Sequence, residues 1–319
     1  MWILAVLGLG CGSSDQPTPV ETKAPCPRGT LDKGYCDVDG DLLADPPAAA
    51  DQKDPKTLIF SYTPVEDPAV YQSAWQPFLD HLASVTGKPV RFFPVQSNAA
   101  QLEAMRAGRL HVAGVNTGGT ALAVNCAGFV PFTMMASADG TYGYEMELIT
   151  HVDSGITQVE QLKGKTLAFT SRTSNSGFKA PSAILKSEFG IDVTNDVKIE
   201  FSGKHDNSVL GVFQQDYDAA AIANSVMKRM VDRELVDATK IRSLYRSASF
   251  PTTAYGVAHD LKPELATKIK EAFASFAWEG TALKAEFAKE AQFLPIQYAT
   301  VWETVRKIDA ANGVSYDCR

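Results

Sequence analysis

The stretch Phe169–Pro181, FTSRTSNSGFKAP, links a strand-like segment to the start of a helix-like pattern. The apolar residues TLAF that lead into it are typical of a buried strand. Apolar side chains at helical spacing follow it, and Pro181 fits only in a first helical turn. Six of its thirteen residues carry a hydroxyl or amide group. Two interpretations compete: an ordinary capped loop, or a cradle in which N–H groups and hydroxyls hold an anion.

Two other junctions repeat this arrangement, at Asn116–Thr120 (NTGGT) and at Lys204–Asn207 (KHDN). In each, short polar residues stand between a predicted strand and a predicted helix. The first N–H groups of a helix have no intrahelical partner and carry partial positive charge. Capping alone would explain one such loop, but three of them favour a shared site for a tetrahedral oxyanion.

Strands and helices alternate from Lys56 onward, which predicts an α/β fold with two lobes. Each lobe is expected to be a mixed sheet flanked by helices, with a ligand cleft between the lobes. We assign residues 57–148 and 252–319 to the first lobe, and residues 149–251 to the second. Trp75 and Phe78 follow helical spacing and are predicted to lie in the core.

The composition narrows the class of function. The chain has 319 residues, of which 45% are hydrophobic, and a net charge of −7 with a pI near 5.3. This acidic balance argues against a nucleic-acid partner, so any bound anion must be held by local groups. The sequence lacks Gly-x-Ser-x-Gly, His-Glu-x-x-His and Walker motifs. Ser174 with His205 has no evident orienting acid, so we expect a binding protein that is not an enzyme and has no organic cofactor.

The N-terminus predicts export. Residues 1–11 form a short apolar run of signal-peptide length that ends at Cys11, a candidate lipidation site. A plain cleaved signal and a start further upstream are the alternatives. Residues 12–56 are rich in Pro, Asp, Ala and Thr and predict a disordered, acidic tether. The protein is then expected to be lipid-anchored, periplasmic or on the surface of a bacterium.

The predicted tether contains the acidic loop CDVDGDLLADPP. Asp37, Asp39, Asp41 and Asp45 have the alternating spacing that surrounds a hard cation with oxygen ligands, and Gly40 allows a tight turn. A structural calcium ion that stiffens the tether is one interpretation. A solvated acidic turn without an ion is the other.

Four cysteines remain once Cys11 is set aside. Cys26 and Cys36 flank a short polar segment, so a local disulfide between them is plausible in an exported protein. Four cysteines allow three complete pairings, and the sequence does not choose among them. Cys126 is read either as a small core residue or as a thiol with a binding role, and Cys318 has no assigned role.

The segments LKGKTLAFTSRTSNSGFKAP, FSGKHDNSVLGV and YDAAAIANS together resemble the phosphate, phosphite and phosphonate substrate-binding proteins of ABC transporters. That family has the two-lobed, type II periplasmic-binding-protein fold, and the resemblance spans roughly Thr57 to Gly313. It implies a small phosphorus oxyanion in the cleft, a membrane permease as partner, and a monomer. The ligand-binding residues that it implies are Tyr62, Asn116, Thr117, Gly118, Thr120, Thr173, Ser174, Asn175, Ser176, His205 and Asn224.

The chain departs from the family pattern in two places. NTGGT replaces the usual proline-tyrosine loop of the first lobe, and Asn224 stands where members that bind aminoalkylphosphonates place a carboxylate. The second departure disfavours an amino-phosphonate ligand. Arg172 and Lys204 are read either as groups that neutralise ligand charge or as solvated loop cations. Because a related branch senses arsenic oxyanions through a cysteine, a periplasmic arsenite or arsenate sensor that signals to a membrane histidine kinase is the alternative function.

Overall fold

The computed structural model describes residue 2, residues 26–66, residues 68–316 and residue 318. The predicted signal sequence, apart from residue 2, and the predicted lipidation site Cys11 lie outside the described residues. Within the described parts, no helix combines the length and the apolar character that a membrane crossing requires.

Eleven strands are described, and they form two mixed sheets. In chain order they are β1 Leu58–Tyr62, β2 Val90–Phe92, β3 Val112–Val115, β4 Phe129–Ala136, β5 Tyr144–His151, β6 Thr166–Phe169, β7 Lys198–Phe201, β8 Ala219–Ala223, β9 Ile241–Phe250, β10 Ala254–Ala258 and β11 Gln292–Pro295. The first sheet has the order β11-β4-β10-β3-β1-β2, and the second has the order β7-β6-β8-β5-β9. Parallel strands carry the loops that lead into helices, and β5 and β10 run antiparallel to their neighbours.

Helices cover both sheets, as expected for the α/β class. Those of the first lobe are α1 Pro68–Thr86, α2 Asn98–Arg106, α3 Thr117–Ala127, α8 Pro263–Ser275, α9 Ala282–Glu286, α10 Tyr298–Val301 and α11 Glu303–Ala311. Those of the second lobe are α4 Ala180–Phe189, α5 Val193–Asp196, α6 His205–Phe213 and α7 Asn224–Asp232. A short π-helical turn, Asn175–Lys179, leads directly into α4. The three polar junctions therefore open α3, the π-helical turn and α6.

The predicted boundary between the lobes was wrong by one strand. Strand β5 falls within the predicted first lobe, but it pairs with β8 and β9 of the second sheet. This pairing gives the second sheet its antiparallel strand and leaves a crossover at residues 137–143. A second crossover at residues 251–253 returns the chain from β9 to β10. The first of the two chain segments that form the first lobe thus ends before Tyr144.

Much of the predicted tether instead packs against the first lobe. Leu31 and Ala44 are buried in its core, and the Asp32 N–H donates to the Asn125 carbonyl at 2.9 Å. Further along, the Lys53 N–H donates to the carbonyl of Asp260 at 2.6 Å. The prediction of a disordered tether was therefore wrong from residue 26 onward. Burial of these apolar side chains and the Cys26–Cys36 disulfide offset the entropy that ordering the segment costs.

An aromatic core holds the first lobe together. Trp75 and Phe78 of α1 are fully buried and pack against Phe60 of β1, with ring centroids 4.7 and 5.9 Å away. Phe273 of α8 packs on Phe78 at 4.5 Å. In the second lobe, β8 reads AAAIA and is buried throughout. Its small side chains allow α6 and α7 to approach the sheet closely, so the ends of β6 and β8 are held at fixed positions beside the cleft.

Candidate functional site

A cavity of about 880 Å³ lies between the lobes and is lined by residues of both. It lies at the ends of the strands that lead into the polar helix starts, which is the usual place for a ligand in α/β folds. Most of the residues predicted from the sequence line it: Tyr62, Asn116, Thr117, Gly118, Ser174, Asn175, Ser176, His205 and Asn224. Thr120 and Thr173 do not line it.

The second-lobe loop presents a helix N-terminus to the cavity. The Ser174 hydroxyl caps it by accepting the Gly177 N–H at 3.0 Å, and its own proton remains available for a ligand. Asn175 and Ser176 are the first residues of the π-helical turn, and both side chains are buried. Their N–H groups lack intrahelical partners by position, so this end of the turn favours an anion.

Tyr144, at the start of β5, lies against this helix N-terminus. Its hydroxyl accepts from the Asn175 side-chain amide at 3.3 Å and lies beside Thr117 and Ser176. Burial raises the pKa of Tyr144, so the group stays protonated and serves as a hydrogen-bond donor. Among the described residues, the buried side-chain oxygen of Asn175 has no hydrogen-bond partner. No local pattern points to Tyr144, because strand pairing in the second sheet brings it to the site.

His205, the first residue of α6, is a neutral donor. Its Nδ1 accepts the N–H of Ala223 at 3.1 Å, so the proton of the neutral ring is on Nε2. Burial lowers the pKa of His205 to about 4, which keeps the ring uncharged at neutral pH. His205 lines the cavity, so its Nε2–H can donate a directional hydrogen bond to an oxyanion. The histidine ring adds no formal positive charge to the site.

The first-lobe loop is held mainly by its own hydrogen bonds. The Asn116 side chain caps α3 by accepting the Gly119 N–H at 3.0 Å. The Thr117 hydroxyl donates to the carbonyl of Pro251 at 2.8 Å, which fixes the loop to the crossover. Thr120 is buried, and its hydroxyl donates to the Asn116 carbonyl at 2.9 Å, so it supports the loop from behind.

Gly118 is the point where the two polar loops touch. A Cβ atom at this position would lie 2.4 Å from both the Asn175 nitrogen and the Thr173 carbonyl oxygen. Only glycine permits this approach with the lobes closed. Thr173 is used at the same interface, because its hydroxyl accepts from the Asn98 side chain of the first lobe at 3.0 Å.

Tyr62 lies at the end of β1 and is almost fully buried. Burial raises its pKa to about 12. The ring packs edge-on against Tyr71 at 4.6 Å and at a tilt against Trp75 at 5.3 Å. It therefore forms an aromatic wall of the cavity with its hydroxyl protonated.

The cavity also contains a carboxylate beside Asn224, which the sequence did not reveal. The Glu145 carboxylate accepts a hydrogen bond from the side-chain amide of Asn224 at 3.0 Å. The backbone N–H of Glu145 donates to the side-chain oxygen of Asn224, also at 3.0 Å. Glu145 and its neighbour Glu147 both line the cavity, and Glu147 pairs with Arg246 at 3.1 Å. The absence of a carboxylate at residue 224 is therefore no argument against a ligand that carries an ammonium group.

Ion pairs join the lobes on either side of this site. Glu66 of the first lobe is 2% exposed and pairs with Arg229 of α7 and, at 2.7 Å, with Arg233, the C-cap residue of that helix. Glu286 of α9 pairs with the same Arg233. Burial opposes the charge on Glu66, but Arg229 and Arg233 outweigh it and hold the pKa of that carboxyl below its usual value.

A second interlobe ion pair joins the π-helical turn to the C-terminal helix. The buried Lys179 ammonium lies 2.7 Å from Asp309 of α11 and donates to the Gly118 carbonyl at 2.8 Å. In both places the first lobe supplies the acids and the second lobe supplies the bases. The described conformation is thus a closed one, with the polar loops in contact.

The remaining predictions concern cysteines and the acidic loop. Cys126 is buried, as predicted for a core residue, and it forms a disulfide with Cys318, so it offers no free thiol for a binding role. The structure also contains the Cys26–Cys36 disulfide.

Carboxylate oxygens of Asp37, Asp39 and Asp41 lie within 4.8 Å of one another. Asp45 instead accepts the Val38 N–H at 2.7 Å. Calcium binding here stays a prediction.

Comparison with known proteins identifies the family. A family model for the periplasmic substrate-binding proteins of phosphonate ABC transporters matches residues 60–301. The chain belongs to this family. Members are substrate-binding components of transporters, not enzymes, and family membership implies an exported, periplasmic protein.

Two relatives resemble this family member in sequence. The phosphate-import protein PhnD of Mycolicibacterium smegmatis is 26% identical over 275 residues, which span 83% of this chain and 85% of that protein. The phosphonates-binding periplasmic protein of Escherichia coli is 28% identical over 178 residues, 54% of this chain and 52% of that protein.

The structural relatives share the type II fold. PhnD1 of Prochlorococcus marinus, solved with methylphosphonate, has a TM-score of 0.73 at 15% identity and covers 82% of this chain and 100% of its own. A binding component of an ABC phosphonate transporter from Pseudomonas aeruginosa has a TM-score of 0.71 at 21% identity, covering 81% of this chain and 89% of its own. The predicted two-lobed fold and the family resemblance are both confirmed.

Proposed function

We propose that this family member binds a small phosphorus oxyanion, a phosphonate, phosphite or phosphate, in the cleft between its lobes. One observation carries the proposal: the N-terminus formed by Ser174, Asn175 and Ser176 meets the neutral donor His205 and the first-lobe loop at Thr117 in one cavity. Hydroxyls and N–H groups of this kind bind a tetrahedral oxyanion without a basic surface. The names of the two relatives, a phosphate importer and a phosphonate-binding protein, support the same ligand class.

The closed protein with its ligand would then dock on an ABC permease. Lobe closure around a ligand is the usual signal in two-lobed binding proteins. The contacts of Gly118 with the second-lobe loop support closure as the event that encloses the ligand.

We propose further that the protein acts as a monomer and is held at the membrane through lipid on Cys11. Mass spectrometry of the full chain expressed in a bacterium, compared with Cys11→Ser, tests the anchor: loss of a diacylglycerol mass in the variant is expected.

A thermal-shift screen of the purified protein tests the ligand class. The screen includes methylphosphonate, phosphite, phosphate and sulfate, with arsenite as a probe of the sensor alternative. A ligand present at about 100 times its dissociation constant stabilises the folded state by about 2.7 kcal/mol. We expect a shift with at least one phosphorus oxyanion and none with arsenite, since both disulfides leave no free thiol among the described cysteines. Absence of any shift with phosphorus oxyanions would overturn the proposal.

A further inference from the structure

A second, smaller cavity of about 320 Å³ lies between the lobes beside the main one. Its walls are the start of α2 at Ser97 and Asn98, the beginning of the second-lobe loop at residues 170–174, and the start of α6 at residues 203–205. Both cavities are lined by Val65, Asn116, Ser174 and His205. A ligand held by Ser174 and His205 therefore borders the second cavity as well as the first.

The second cavity is cationic. Arg172 and Lys204 line it, and among the described residues no carboxylate does. Neither cation forms an ion pair with a described carboxylate. The main cavity differs, because carboxylates line it and its three arginines are each paired with a glutamate. Two cations without carboxylate partners beside an oxyanion site leave an attraction for a further negative group.

Aromatic rings lie against one of these cations, and the other stands at a helix start whose first turn also contains Asp206. The exposed Arg172 guanidinium lies over the rings of Phe178 and Phe201, 5.6 and 5.0 Å from their centroids, and forms no ion pair with a described carboxylate. Lys204 is the N-cap residue of α6, where the helix dipole adds positive potential. Asn98 contributes a polar rim through its hydrogen bond to Thr173.

We propose that the second cavity binds a carboxylate of the ligand, so that this protein prefers phosphonocarboxylates over phosphonates with an uncharged substituent. The inference rests on the proposed function, since it takes the phosphorus end of the ligand to lie at Ser174 and His205. Arg172 and Lys204 would then determine specificity, while the polar loops hold the phosphonate. The two cavities together have the room for such a two-headed ligand.

Isothermal titration with ligand pairs of matched carbon-chain length tests this inference. Phosphonoacetate is compared with ethylphosphonate, and 3-phosphonopropionate with propylphosphonate. In wild type we expect at least one phosphonocarboxylate to bind about fivefold or more tightly than its alkylphosphonate partner, the effect of two partly exposed charge contacts. Arg172→Gln with Lys204→Gln should abolish that preference, so that each phosphonocarboxylate binds within about twofold of its alkylphosphonate partner.

A control variant separates local contacts from net charge. Lys268→Gln with Lys307→Gln removes the same two charges from exposed positions outside both cavities and should keep the preference. The inference is overturned if wild type shows no preference for either acid, or if the preference survives Arg172→Gln with Lys204→Gln. Methylphosphonate, titrated in parallel, distinguishes the two levels: its binding without an acid preference defeats only this inference, whereas failure of every phosphonate also defeats the proposed function.

Discussion

At the scale of single residues, His205 links the site to pH. Its pKa in the folded protein, about 4, lies below the usual histidine value because of burial. The unfolded chain therefore binds this proton first as pH falls below about 6.5, and folding stability drops between there and pH 4. Between pH 7 and about pH 4.5, we expect the free energy of unfolding to fall less in His205→Gln than in wild type, by on the order of 2 kcal/mol. Urea unfolding at both pH values measures this, and an identical loss in the two proteins would contradict the assignment of the ring as buried and neutral.

Ser174 and Ser176 separate capping from ligand binding. Ser174 caps the π-helical turn through Gly177, so Ser174→Ala should cost about 1 kcal/mol of stability without ligand. Ser176 does not serve as the cap, so Ser176→Ala loses no capping bond and should cost less stability than Ser174→Ala. Both variants should bind the oxyanion about tenfold more weakly, because a hydrogen bond to a charged group is lost. Denaturant unfolding and calorimetric titration check the two effects. Unchanged affinity in both variants would remove these hydroxyls from the site.

At the scale of elements, the contact between the polar loops depends on Gly118. Gly118→Ala puts a methyl group 2.4 Å from the backbone of the second-lobe loop, so the lobes should no longer close. Oxyanion affinity should fall by about tenfold or more, and small-angle scattering with ligand should show a larger radius of gyration than wild type. Gly34→Ala is the matched control, because a Cβ there meets no atom within 4 Å. A closed, fully binding Gly118→Ala protein would contradict this account of closure.

The polar helix starts were predictable from sequence, whereas their partners were not. Ser174 and His205 stand at strand-to-helix junctions, where local propensity and capping chemistry identify them. Tyr144 and Glu145 reach the site through strand pairing across the second sheet, with Met146 opposite Ala223 some 77 residues away (223 − 146). No local pattern encodes that pairing, and the boundary between the lobes was misplaced for the same reason. The ordering of residues 26–56 also depends on long-range burial of a few apolar side chains.

At the scale of the whole molecule, ion pairs between opposite charges join the two lobes across the cleft. The buried Glu66 bridges to Arg229 and Arg233, so Glu66→Gln leaves two arginines without their main partner in the closed form. We expect ligand affinity to fall by about tenfold and ligand-free scattering to shift toward an open form. Glu303→Gln breaks only an exposed pair with Lys307 and should change neither quantity. Equal behaviour of the two variants would show that these interlobe ion pairs do not govern closure.

In the proposed function, the cleft at Ser174, Ser176 and His205 holds a phosphorus oxyanion. Calorimetric titration of methylphosphonate and phosphate into wild type and into Ser176→Ala with His205→Gln tests it most directly. We expect one-to-one binding of at least one ligand to wild type, and a loss of about a hundredfold in affinity in the folded double variant. No binding of either ligand to wild type, or undiminished binding to the double variant, would contradict it.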